Sequence, residues 1–199
     1  VRALVDGNHT VGVVAFERGT RMTLEDVTIS NTQPRVSDMS VGRGLSVQTG
    51  AEVHVTRGAF VGNHEVAIVA FDPGSVAVLS HVTVRDTLQT PCDPTQILGD
   101  CGGYLGSGLA VVEASVSLED FLITGSALAG LQILDVDMFH AARGVVRDNR
   151  IGINVQDDDL DLGVAFDSVR TVGNEQDRAF DDIPVPTAGA AIDALTTAP

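Results

Sequence analysis

The sequence predicts an all-β fold, a single-stranded parallel β-helix of about six to seven coils of ~22 residues. Three observations predict it. A phrase of the form glycine, aliphatic, polar, aliphatic returns along the chain, and the apolar residues within each return alternate. Nothing between the returns carries the roughly 3.6-residue period of a helix.

The phrase reads GVVAF from Gly12, GLSVQ from Gly44, AIVAF from Ala67, GLAVV from Gly108, GLQIL from Gly130 and GINVQ from Gly152, at spacings of 32, 23, 41, 22 and 22. The two long spacings place insertions near residues 33–42 and 88–107, both in the turn before the next opening phrase. Within the phrase, Val13, Leu45, Ile68, Leu109, Leu131 and Ile153 form one column facing a core. Ala15, Val47, Ala70, Val111, Ile133 and Val155 form a second.

A further alternating pair follows a short turn: Met22 and Leu24, Val53 and Val55, Val76 and Val78, Val116 and Leu118, Leu160 and Leu162. A third, shorter segment closes the unit as DVTIS, GAFVG, HVTVR, DFLIT or GVVRD. Such a unit has no room for a helical crossover and cannot bury its apolar face alone. Stacking on its neighbours at a strand spacing of ~4.8 Å supplies the missing core.

Asn31, Asn63, Asn149 and Asn174 recur where units close, with Ser126 near the equivalent place. An asparagine at a stacked bend satisfies backbone groups and tolerates left-handed geometry, so these residues are expected to build the fold. The repeat domain is expected over residues 1–175. Residues 176–199 lose the repeat and gain Pro, Ala and Thr, as a cap for the open end and a tail. The chain opens inside what reads as the end of a repeat, LVDGN, as a piece of a longer protein would.

Composition excludes some partners. The 12 basic residues are all Arg against 27 carboxylates, a formal charge of −15 that repels phosphate backbones, so no nucleic-acid partner is expected. No apolar run approaches the ~20 residues of a membrane span. Aromatic residues are 4% of the chain, with no Trp, so the core must be aliphatic. Cys92 and Cys101 share one turn-rich stretch, PCDPTQILGDCGGY, which points to a local disulfide and an oxidising compartment.

The repeat region, roughly residues 3–175, resembles the right-handed parallel β-helix proteins of the pectin-lyase-like fold. More narrowly, GLQILDVDMFHAARGVVRDNRIGINVQ, followed by VGN and DDIPVP, is similar to secreted β-helix-repeat proteins of myxobacterial type. The resemblance implies a right-handed coil and a secreted or cell-surface location, with a lipid anchor on the full-length protein as one form of it. It also implies that a polysaccharide lies along the outer face of the first sheet, walled by the two insertions.

On that face the repeat places Val14, Phe16, Val69, Phe71, Ala110, Val112 and Leu134, interrupted by Ser46, Gln48, Gln132, Asn154 and Gln156. Phe16, Phe71, Val112 and Tyr104 are the candidate binding surface. An apolar outer face fits three uses: loops folded onto it, a protein or self-association surface, and a substrate floor. Five residues after each opening position runs an acidic column, Glu17, Asp72, Glu113, Asp135 and Asp157, interrupted by Thr49.

Stacked carboxylates repel, and a hard cation such as Ca²⁺ relieves them; the candidate metal residues are Asp135, Asp157 and Asp159, with Asp158, Asp161 and Asp137 nearby. The bland alternative is a solvated turn. Calcium-dependent lyases of the resembled fold pair such ligands with an Arg base, which makes Arg143, Arg147 and Arg150 the weak catalytic candidates. The hydrolase branch's Asn-x-Asp, Asp-Asp, His-Gly and Arg-x-Lys set is absent, and a chain without Lys cannot complete its last motif. His140 stands where other units place Leu24 or Leu118, and a local rotation turning Phe139 inward explains it most simply. The sequence therefore carries no complete catalytic set and no certain cofactor, and is read as a binding or structural module.

Overall fold

The computed structural model describes residues 2–37, 39–90 and 105–186. Nearly all regular structure is parallel β. A seven-stranded sheet contains β2 (Val11–Phe16), β4 (Arg43–Gln48), β6 (Val66–Phe71), β8 (Ser107–Val112), β10 (Ala129–Leu134), β12 (Ile151–Gln156) and β15 (Gln176–Ala179). An eight-stranded sheet contains β1 (Ala3–Asp6), β3 (Arg21–Ser30), β5 (Glu52–Val61), β7 (Val76–Arg85), β9 (Ser115–Thr124), β11 (Met138–Arg147), β13 (Phe166–Asp167) and β14 (Arg170–Val172). One short helical turn, α1 (Leu162–Ala165), is capped by Asp161 Oδ1 accepting from the Gly163 amide at 2.9 Å.

From β2 to β12 the chain alternates between the sheets, and each return adds a strand beside the last. The opening phrases pair in register, Val13 with Leu45, Leu45 with Ile68, Ile68 with Leu109, Leu109 with Leu131 and Leu131 with Ile153. Both expected inward columns are in the core, fully buried except for Val13 at the first unit. β15 extends this sheet past residue 175, to Ala179.

The expected second and third segments are one ten-residue strand in β3, β5, β7, β9 and β11, bent at its sixth residue. Asp26, Arg57, His81, Asp120 and Arg143 hold that bend at φ 52, 58, 54, 51 and 51°. Two expected phases are corrected. In β7 it is Ala77 and Leu79 that pair with Val53 and Val55 and are buried, so Val76 and Val78 face outward. Around Leu160 and Leu162 the chain forms the turn into α1 instead of a strand, because Asp161 caps it. In β11, Phe139 pairs with Val116 and is 4% exposed, while His140 pairs with Ser117 on the outer side.

Glycine opens five of the six phrases, Ala67 the other, and at Gly44 and Gly130 it has a steric cause. A Cβ on Gly44 would lie 2.5 Å from the Ala67 carbonyl oxygen, and one on Gly130 2.8 Å from that of Gly152, because the next unit's backbone crosses there. Gly44→Ala is expected to cost about 1–3 kcal/mol through this overpacking. A thermal midpoint equal to that of the parent chain would refute the steric account.

Candidate functional site

The acidic column lies at the corner that follows the seven-stranded sheet. Glu17, Thr49, Asp72, Glu113 and Asp135 all take left-handed φ, from 44 to 75°. Carboxylates here reach back to close the preceding unit's turn. Asp72 Oδ2 accepts from the Thr49 amide at 3.0 Å and Asp157 Oδ2 from the Val136 amide at 3.0 Å, while Asp157 Oδ1 accepts from the Asp159 amide at 3.0 Å. The column therefore binds unit to unit.

The structure does bring the candidate metal residues together. Asp135, Asp157, Asp158 and Asp159 line an open cleft of about 350 Å³ with Phe180 and Asp182. Among the described residues, however, no three His, Cys, Asp or Glu side chains converge in a way that would hold a metal ion.

The candidate bases lie at other corners. Arg143 sits at the bend of β11, where Nε reaches Asp120 Oδ1 at 2.9 Å and Nη2 reaches Glu119 Oε2 at 2.8 Å. The hydrogen bond it donates to Asp120, then that to Glu119, raises the Arg143 pKa above its already high ordinary value. A guanidinium held protonated this firmly is a poor proton acceptor. Arg147 pairs with Asp148 at 3.5 Å and Arg150 is exposed, both at the close of the eight-stranded sheet.

Arg143 belongs to a charge ladder that the sequence reading missed. The left-handed bend residues stack from unit to unit, so Arg57 Nε meets Asp26 Oδ1 at 2.6 Å, and Asp120 lies between Arg143 and His81, the latter 3.9 Å away. Hydrogen bonds from Arg57 and Arg143 lower the Asp26 and Asp120 pKa values. Depressed carboxyls contribute stability that is present above the unfolded value of about 4 and is lost as pH falls through the folded value. The thermal midpoint is accordingly expected to drop in acid, and Arg143→Met to make that drop shallower while changing the neutral-pH midpoint little, since exposed pairs are weak. Unfolding scans from about pH 7 to 3 check this; an unchanged acid slope would contradict it.

The bend asparagines act as expected, with one correction. Asn63 Oδ1 accepts from the Thr32 amide at 3.1 Å and Asn149 Oδ1 from the Ser126 amide at 2.8 Å, while Asn174 Oδ1 accepts from the Asn149 amide at 3.0 Å. Asn31 is not in this row. It occupies the left-handed position one residue earlier, φ 53°, equivalent to Gly62, Asp86 and Asp148, so Thr32 is the residue in the row.

The outer face of the seven-stranded sheet is largely closed. Phe71 is 1% exposed and clusters with Val66, Val69 and Ala110, and Val112 packs against them half-buried. Arg43 and Glu65 form a buried bidentate pair here, Nε to Oε2 at 2.6 Å and Nη2 to Oε1 at 3.1 Å, with the guanidinium 5.0 Å over the Phe71 ring. Phe71 is thus no open platform. Phe16 is half-buried; Tyr104, Cys92 and Cys101 lie outside the described residues.

After β15, the edge strand of the seven-stranded sheet, the chain crosses this same face. Asn154 Nδ2 donates to the Asp181 carbonyl at 3.0 Å, Gln156 Nε2 to that of Ile183 at 3.4 Å, and Gln132 Nε2 to that of Pro184 at 2.8 Å. Ile183 packs on Leu128, Ala129, Ile151 and Ala179. The polar interruptions of the outer face were visible in the sequence; that they point at the tail was not.

No protein-family model, no curated protein and no solved structure matches the chain. Among the described residues no helix is long and apolar enough to cross a membrane.

Proposed function

We propose that the two parallel sheets are faces of one right-handed parallel β-helix of the pectin-lyase-like kind. We read the protein as an exported, secreted or cell-surface module with a binding or structural role. The handedness follows from the strong preference of parallel crossovers for the right-handed return. Its partner is a protein or polysaccharide at the outer face of the seven-stranded sheet, and nucleic acid is disfavoured by the charge of −15. One observation carries the reading: two of the groups a catalytic site would use are engaged in joining unit to unit, Arg143 by Asp120 and Glu119, and Asp157 by the Val136 amide.

The second reading is a Ca²⁺-dependent polysaccharide lyase, or a non-catalytic fragment of one, and the gathering of Asp135, Asp157 and Asp159 at one cleft favours it. Incubation with uronate polymers in the presence of Ca²⁺ separates the two. The binding reading expects no new unsaturated chain ends; chelator-sensitive appearance of such ends would replace it with the lyase.

A further inference from the structure

We infer that the amide row Gln132, Asn154 and Gln156 is a recognition site for an extended, proline-bearing polypeptide segment, held in the described structure by the chain's own residues 181–186. The inference rests on the binding-module reading and specifies its partner as a peptide. Gln132 and Asn154 are fully buried beneath the tail, and their donors are used on tail carbonyls.

The donors are aimed by the sheet itself. Ser107 Oγ donates to Gln132 Oε1 at 2.9 Å, which turns Gln132 Nε2 outward to Pro184. Gln156 Nε2 donates to Asn154 Oδ1 at 2.7 Å, which turns Asn154 Nδ2 outward to Asp181. Both orienting bonds come from side chains of the sheet, so the row keeps its direction without the tail, and a preformed site loses little ordering entropy when it binds.

The occupant's chemistry matches a row that offers N–H groups. Residues 183–186 read Ile-Pro-Val-Pro, and each proline keeps a carbonyl acceptor but has no amide donor to leave unpaired. Proline also holds the segment extended before it binds. An apolar foothold for the segment exists as well, where Ile183 meets Leu128, Ala129 and Ile151. A peptide with carbonyls toward the sheet and an aliphatic residue before a proline satisfies both requirements.

The test uses the full chain and a fluorescent peptide with the sequence of residues 180–186, FDDIPVP. In the parent chain the tail competes in cis and the peptide binds weakly. Ile183→Asp removes the foothold of the resident tail, and the variant is expected to bind the added peptide at least about ten-fold more tightly, with circular dichroism unchanged. Adding Gln132→Ala and Asn154→Ala is expected to abolish that gain. Failure of the folded Ile183→Asp chain to bind better than the parent would overturn the inference, as would a gain that survives loss of the two amides. Either failure leaves the uronate assay unaffected, so the broader reading stands or falls separately.

Discussion

Glu65→Ala is expected to destabilise the fold by about 3–5 kcal/mol, the usual cost of removing one member of a buried ion pair. Arg43 is fully buried and Glu65 is 4% exposed, so the carboxylate neutralises a guanidinium away from water. Glu65 also holds a left-handed φ of 57°, so Glu65→Gln, which keeps side-chain length at the same backbone strain, separates the charge from the turn. Adding Arg43→Met to Glu65→Ala should recover part of the loss, because the charge goes too. Urea denaturation measures all three variants. A loss below about 1 kcal/mol for Glu65→Ala would show that the pair is not buried as described.

Asn63→Leu is expected to cost about 2–5 kcal/mol. The amide is fully buried and serves two groups of the preceding unit, accepting from the Thr32 amide and donating to the Ile29 carbonyl at 3.1 Å. Leucine keeps the branching of the side chain with somewhat more bulk and leaves a buried N–H and a buried C=O unpaired. Hydrogen exchange at Thr32 should accelerate with the loss of stability. Asn31→Gly, one corner away, keeps the left-handed backbone and removes only an exposed bond to Asp6, so its effect should be much smaller. Equal effects of the two substitutions would contradict the register that places Thr32, and not Asn31, in the row.

The core columns of the seven-stranded sheet were legible because the phrase returns with a recognisable opening residue, and in GLSVQ, GLQIL and GINVQ a polar residue between two aliphatics admits one phase only. In β7 the run Val76-Ala77-Val78-Leu79 is apolar throughout, so alternation could not say which pair faces inward. Packing decided it, with Ala77 and Leu79 lying over Val53 and Val55. The charge ladder was hidden for a related reason: a left-handed residue in mid-strand resets the alternation, and its side chain pairs with a residue 23 or 31 positions away. The signal available was a charged or imidazole residue 12 to 14 positions after each opening residue, Asp26, Arg57, His81, Asp120 and Arg143, an offset blurred by the differing length of the turn between.

The candidate site was legible only as residue types. The acidic column is real, but the sequence could not show that left-handed corners select some of its members and that others cap backbone amides. The path of the tail was not legible, because a segment rich in Pro has no period to show where it runs. Its path is set by three amides that belong to other units.

Arg143 and Asp157, which resemble parts of a catalytic constellation, are engaged in joining units. The most direct test is a calorimetric Ca²⁺ titration of the purified chain beside Asp157→Asn. The account predicts no stoichiometric uptake by the parent and a lower thermal midpoint for the variant, whose neutral side chain holds the Val136 and Asp159 amides less strongly. Tight, one-to-one binding by the parent that disappears in Asp157→Asn would contradict it and make the acidic cleft a metal site.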